Sequence, residues 1–222
     1  MAAATTPEPL RTDIVSDVVC PWCAVGYNQL AEAARQTGVA LDIHWQPFEL
    51  NPEMVPEGED LREHLAAKYG STAEQSAQIR AQLTSLGEDL GFTFRFHDGM
   101  RIYNTFHAHQ LIGWAEAQGK GHEAKQALLK AYFTDGKDVS DLDVLEETAA
   151  AIGLDGTEAR QALERGDEAG TVRQREAFWV NQGITGVPAI VFQGRHLVTG
   201  AQGVETYAAI LKQLTEQSPA EA

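Results

Sequence analysis

Cys20 and Cys23 are the only cysteines of the 222-residue chain, and they stand in the tetrad Cys20-Pro21-Trp22-Cys23. Two cysteines three apart at a strand-to-helix junction form a dithiol that can open and close. The tetrad follows Thr12-Asp13-Ile14-Val15-Ser16-Asp17-Val18-Val19, a β-branched run that predicts a strand. It precedes Cys23, Tyr27, Leu30, Ala31 and Ala34, which recur at helical spacing until Gly38 stops the pattern. Pro21 suits a first helical turn, where its missing N–H would be unpaired anyway. Cys20 then lies at the helix N-terminus, where free N–H groups and the helix dipole favour an anion, and the thiolate is the reactive form of a thiol. Cys23 lies one turn on, toward the apolar face. The sequence thus predicts an exposed attacking sulfur and a covered resolving sulfur.

Two other uses of such a pair fare worse. A zinc site wants four ligands, and no second cysteine pair exists; His107 and His109 are two apart and point to different faces of a helix. A structural disulfide across so short a span would remove little chain entropy.

The elements around the dithiol follow from periodicity. Val39, Leu41, Ile43 and Trp45 alternate with polar residues and predict a second strand, closing a βαβ unit. His44 falls on its polar side. Pro47-Phe48-Glu49-Leu50-Asn51-Pro52 is a rigid turn. A long helical stretch follows. Leu61, Leu65 and Tyr69 end at Gly70, and Ser71 with Glu74, or Thr72 with Gln75, offers a capping box for a helix to Leu90. Residues 91–96 alternate and predict a short extended piece. Asn104 opens another helix, and more follow near 122–134, 141–152 and 155–165, the last with Asp155 and Glu158 as a box. A helix over 168–182 leads to the loop Ile184-Thr185-Gly186-Val187-Pro188. Strands at Ala189–Phe192 and His196–Thr199 turn around Gly194, and Val204, Tyr207, Ala208, Leu211 and Leu214 mark a closing helix.

Bulk properties narrow the function classes. The 43% hydrophobic content is that of an ordinary globular chain. A net charge of −15 opposes binding to a phosphate backbone. No apolar run reaches the ~18 residues of a membrane span. Residues 1–7 resemble no signal peptide, so a cytosolic location is expected, and a cytosolic cysteine pair is more often catalytic than structural.

Taken in order, four blocks resemble the DsbA-like superfamily: Ser16 to Cys23, Pro47 to Pro52, Tyr103-Asn104-Thr105, and Gly186-Val187-Pro188. They are most similar to its FrnE-type branch of cytosolic disulfide oxidoreductases. The resemblance implies an α/β thioredoxin fold, a mixed central sheet flanked by helices, with a large all-helical insertion. Residues 11–50 and 168–215 would form the thioredoxin-like core, 51–167 the insertion, and 1–10 and 216–222 loose tails. It implies Cys20 as nucleophile, Cys23 as resolving thiol, Pro21 and Trp22 as active-site support, and Pro188 as a cis-proline that turns the Val187 backbone toward a docking peptide. No organic cofactor or metal is implied. The implied partners are protein or small-molecule thiols and disulfides, without nucleic acid or membrane; a homodimer is compatible with the sequence.

The chain departs from these relatives at two points. Trp22 replaces the histidine of strongly oxidising DsbA and lends no charge to a thiolate, so milder stabilisation is expected. Ile14 occupies the position, six before the first cysteine, where thioredoxin-like proteins often keep a buried acid. Asp17 or Glu49 could instead accept the resolving proton through water. Trp22 is either a platform for an apolar substrate or a ring packed on the helical block, and Asn104 either a substrate contact or an ordinary N-cap. Two other functions fit the same pattern. One is a glutathione-dependent isomerase or transferase of the 2-hydroxychromene-2-carboxylate isomerase or kappa type, against which both retained cysteines count. The other is a non-catalytic peptide-binding or chaperone-like module.

Overall fold

The computed structural model describes residues 8–216. In chain order the elements are β1 (Leu10–Ser16), α1 (Pro21–Thr37), β2 (Leu41–Pro47), β3 (Glu59–Asp60), α2 (Leu61–Tyr69), α3 (Ala73–Leu90), β4 (Arg101–Ile102), α4 (Phe106–Glu116), α5 (Gly121–Phe133), α6 (Leu142–Ala151), α7 (Gly156–Arg165), α8 (Ala169–Asn181), β5 (Ala189–Phe192), β6 (His196–Thr199) and α9 (Val204–Glu216). Both ends of the chain feed one four-stranded sheet of order β2-β1-β5-β6. β1 runs parallel to β2 and antiparallel to β5, and β6 returns antiparallel on β5. This is the thioredoxin-like fold, with a mixed sheet.

Strand alternation explains how the sheet is covered. Ile14 joins a core cluster with Leu30 of α1 and with Tyr207 and Leu211 of α9, all fully buried. Its neighbour Val15 points the other way and clusters with Trp179 of α8 and with Ile184, Ala189 and Val191. The first cluster continues without a break into α4, α5 and α6 through Leu111, Leu128, Leu129 and Leu145, so one core spans sheet and helices.

Local chemistry sets the boundaries. Thr72 and Gln75 complete the capping box of α3, and Asp155 caps α7 by accepting from Glu158 N. α1, α2, α3 and α7 each end on a glycine in the left-handed region. α2 differs from the other helices in having no buried residue.

Three expectations need correction, and a fourth segment gains its neighbour. β1 stops at Ser16, not Val19, because its ladder ends where Ser16 meets Pro47, which has no N–H to donate. Leu10 is not tail but the buried first residue of β1; residues 1–7 and 217–222 of the expected tails lie outside the described residues, and Glu216 ends α9. The 91–96 piece pairs in neither sheet. Its neighbour is the end of α5, met by one main-chain bond from Arg95 N to Phe133 O, while Phe94 stacks on Phe96 and edges onto Phe133. Finally, 51–167 is not all helical, since β3 pairs with β4. Gly58 makes that ribbon possible: a Cβ there would lie 2.4 Å from Ile102 O.

Candidate active site

A tight turn over residues 17–20 places both sulfurs. Cys20 N donates to Asp17 O at 3.4 Å, and Cys23 N donates to Cys20 O at 3.1 Å. Cys20 is the N-cap of α1, and Pro21 begins the helix. No side chain caps this start, which leaves the electropositive helix end to the Cys20 sulfur.

Both thiols are free and buried. Cys20 retains 4% of its surface and Cys23 1%. The expectation of an exposed Cys20 is therefore corrected. α2 and α3 stand over the dithiol, and Cys20 Sγ donates to Val187 O at 3.8 Å. Cys20 opens instead onto a cleft of about 380 Å³ between the dithiol and the two helices, which Pro21, Trp22 and Val187 also line. Trp22 lines the cleft and packs, half-buried, on the core.

The Val187–Pro188 bond is cis, and the Val187 carbonyl faces the Cys20 sulfur. α1 sits hard against this loop because residue 26 is glycine: a Cβ there would lie 3.1 Å from Pro188 Cγ.

Cys23 faces a different environment. Burial pushes its thiol pKa well up, and its contact with Cys20 adds to the rise, while the charge of Lys125 and the Asp17 main chain oppose it. Lys125, from α5, is 1% exposed. Burial brings its pKa down to about 8, against the pull of Cys23, Asp17 and Cys20. Its ammonium sits 5.3 Å from the centre of the Trp45 ring. A cavity of about 10 Å³, lined by Lys125, His109, Gln46 and Arg175 among others, lies alongside. That is room for one water.

Asp17 is fully buried between these groups. Its Oδ2 accepts from Leu50 N at 2.8 Å, and its Oδ1 lies 3.4 Å from His109 Nε2. Burial alone would raise its pKa; His109, the Leu50 N–H and the Lys125 charge outweigh burial and hold it low. The other proposed residues stand apart. Glu49 is buried but ion-paired to Arg173, whose guanidinium also lies 3.8 Å over the Phe106 ring. Burial raises the Glu49 pKa, with Arg173 opposing. Asn104 does not line the cleft: it precedes Thr105, the N-cap of α4, and its Oδ1 accepts from Phe106 N at 2.9 Å. Among the described residues no group of three His, Cys, Asp or Glu is placed to hold a metal ion.

Sequence reasoning misses Lys125 and His109. Both are polar residues in helices, and each shares an apolar face: Lys125 with Leu128 and Leu129, and His109 with Ile112. That spacing of three and four is the available signal.

The fold and sequence are shared with known proteins. The model of the DSBA-like thioredoxin domain family matches residues 11–212. An uncharacterized protein of Bacillus subtilis, YwbO, is 28% identical over 195 residues, covering 87% of this chain and 92% of that protein. The crystal structure of a probable DsbA oxidoreductase, SCO1869, from Streptomyces coelicolor superposes with a TM-score of 0.86 at 30% identity, covering 96% of this chain and 93% of that one. The cytosolic disulfide reductase DsbM from Pseudomonas aeruginosa, in its structure with GSH, shares the fold with a TM-score of 0.65 at 19% identity, over 93% of this chain and all of that one (100%). No helix among the described residues is long and apolar enough to cross a membrane.

Proposed function

Because this chain belongs to the DSBA-like thioredoxin domain family, a family of thiol oxidoreductases, we propose that it is a thiol–disulfide oxidoreductase working through Cys20 and Cys23. The observation that carries the reading is the opposite setting of the two thiols. One opens on a cleft at an uncapped helix end, and the other is enclosed beside a buried lysine.

In the reducing direction the Cys20 thiolate attacks one sulfur of a disulfide. The S–S bond breaks, the leaving sulfur takes a proton, and a mixed disulfide remains on Cys20. Cys23 must then lose a proton that its burial makes it keep. Lys125 is suited to accept it. Near pH 8 this lysine is neutral about half the time, so it can take the thiol proton and hold it as a charge that favours the new thiolate. One water in the adjoining cavity could relay that proton outward. Asp17, held ionised by His109 and Leu50 N, stabilises the positive charge of Lys125. Cys23 then attacks Cys20 Sγ, forms the protein disulfide and releases the product thiol. No organic cofactor takes part.

The proposed partners are thiols and disulfides, and the proposed location is the cytosol, in line with DsbM of the same fold. Both cysteines of the pair are present, which argues against the isomerase or transferase alternative. To test the reading, the reduced protein is mixed with a small disulfide, quenched with acid and mapped by mass. A Cys20–Cys23 disulfide should form, lighter by two hydrogens, and should be re-reduced by thiols over many cycles. A dithiol that stays inert to every disulfide offered would overturn the proposal.

A further inference from the structure

The roof over Cys20 restricts what can reach it. Cys20 is only 4% exposed, so a disulfide on the surface of a folded protein cannot approach unless α2 and α3 move aside. The cleft of about 380 Å³ falls within the range of small-molecule sites. Its walls are mainly apolar, with Leu61 and Leu65 from α2, Ile79 and Leu83 from α3, and Phe96 and Ile102 beyond. A polar tripeptide thiol would strip its own charges of water to lie against such walls, with little return.

One charge in the lining has no counterpart. Arg80 of α3 is half-buried, one turn from Leu83, and makes no ion pair with any described residue. Arg62, the other arginine of the cleft, is held by Asp98 at 3.3 Å. In a chain with 32 acidic and 17 basic residues, an arginine left unpaired in an apolar wall is available to an anion from outside. Tyr69, 59% exposed, lines the same cleft as Cys20 and marks its mouth.

We infer that the substrate of Cys20 is a thiol or disulfide carried on a slender, largely apolar body with one anionic end, the body against α2 and α3 and the anion at Arg80. This rests on the dithiol-exchange reading and narrows it. With a dithiol of this class and the oxidised protein, the first ligand thiolate attacks Cys20 Sγ, the protein S–S bond breaks, and Cys23 leaves and takes a proton. The second ligand thiolate attacks the ligand sulfur of the mixed disulfide. This closes the ligand disulfide and frees Cys20, with two electrons passed from ligand to protein.

The test measures reduction of the oxidised protein by four thiols: dihydrolipoate, its uncharged amide dihydrolipoamide, glutathione, and reduced thioredoxin as a folded protein dithiol. Each rate is divided by that thiol's rate with the oxidised peptide Cys-Pro-Trp-Cys, so that only the contribution of the site remains. Dihydrolipoate should lead glutathione and thioredoxin by at least about tenfold, with dihydrolipoamide between. Arg80→Gln should erase the difference between the acid and its amide, and Leu65→Trp, which fills the cleft, should slow both. A normalised lead for glutathione or thioredoxin, or an acid–amide difference that survives Arg80→Gln, overturns the inference while leaving the oxidoreductase reading intact. Failure of all four thiols to reduce the protein overturns that reading as well.

Discussion

The two faces of the dithiol are built on different principles. On the Cys20 side the walls are mainly apolar side chains around open space. On the Cys23 side there is hardly any space, and the neighbours are polar: Lys125, Asp17 and His109 are each at most 3% exposed. A cleft of the first kind selects a partner by shape. A close-packed polar cluster of the second kind selects nothing but tunes where a proton rests. On the proposed reading, one turn of α1 separates recognition from proton handling.

Removing either sulfur is the harshest way to test that division. Cys23→Ala should keep the first step and lose turnover by orders of magnitude, because the internal thiol acts at very high effective concentration. Mixed disulfides on Cys20 should then accumulate and vanish with reductant on non-reducing gels or in mass spectra. Cys20→Ala should trap almost nothing, since Cys23 does not line the cleft. Equal trapping by both variants would dissolve the distinction.

Next in size is Lys125→Met. The unfolded chain keeps the lysine proton to about pH 10.5, whereas the folded one gives it up near pH 8. Between those values the unfolded state binds more protons, so this group makes stability rise with pH, by about 3 kcal/mol across the window. Cys23 acts in the opposite sense: its folded pKa lies well above 9.0, so stability of the reduced form falls as pH rises past 9. Urea titrations of the disulfide form, where Cys23 cannot titrate, should show the rise alone, and the variant should abolish it. At pH 7 the variant should be more stable by about 1–3 kcal/mol yet resolve mixed disulfides about tenfold more slowly. Unchanged resolution kinetics would take the proton from Lys125 and give it to another acceptor.

Arg173→Ala probes a charge pair that the dithiol does not use. It strips the partner from the buried Glu49, whose side chain is 2% exposed. A cost of about 1–3 kcal/mol in urea unfolding is expected, since the carboxylate can escape it in part by protonating. Exchange rates should not change. A parallel loss of exchange would bring Glu49 back as a participant.

Gly26→Ala should have the smallest effect. Alanine favours the helix by roughly 1 kcal/mol, while its Cβ would press on Pro188 Cγ at 3.1 Å. The two effects nearly cancel in stability, so the variant should differ from wild type by less than about 1 kcal/mol. Any change in exchange rate should then report the set of the Val187 carbonyl against Cys20.

These features differ in how openly the sequence carries them. Tetrad, helix ends and terminal hairpin are local: Pro21, Gly38, the Thr72–Gln75 box and the turn at Gly194 each act on a few neighbours, and the structure places them where those residues demand. The environment of the dithiol is not local. Lys125 lies more than a hundred positions from Cys23, and a lysine in an amphipathic helix ordinarily faces water. Cys20 reads as exposed because nothing in α1 says that α2 and α3 will stand over it. Gly26 reads like any helical glycine, and only the approach of the loop at Pro188 gives it a purpose.

The way α2 is held has a consequence of its own. With no buried residue, this wall of the cleft is fixed by its Asp60 cap, by the half-buried Leu61 packed on the core, and by surface ties such as Lys68 Nζ to Leu50 O and Asn51 Oδ1, each 2.6 Å. Such a helix belongs to the low end of local unfolding free energies, and its amides should trade hydrogen for deuterium well before those of α1 or α5. For a partner too bulky for the cleft, turnover then has a ceiling that chemistry does not set. Once such a thiol reacts faster than α2 swings clear, making it more nucleophilic gains nothing, and the rate should follow solvent viscosity instead.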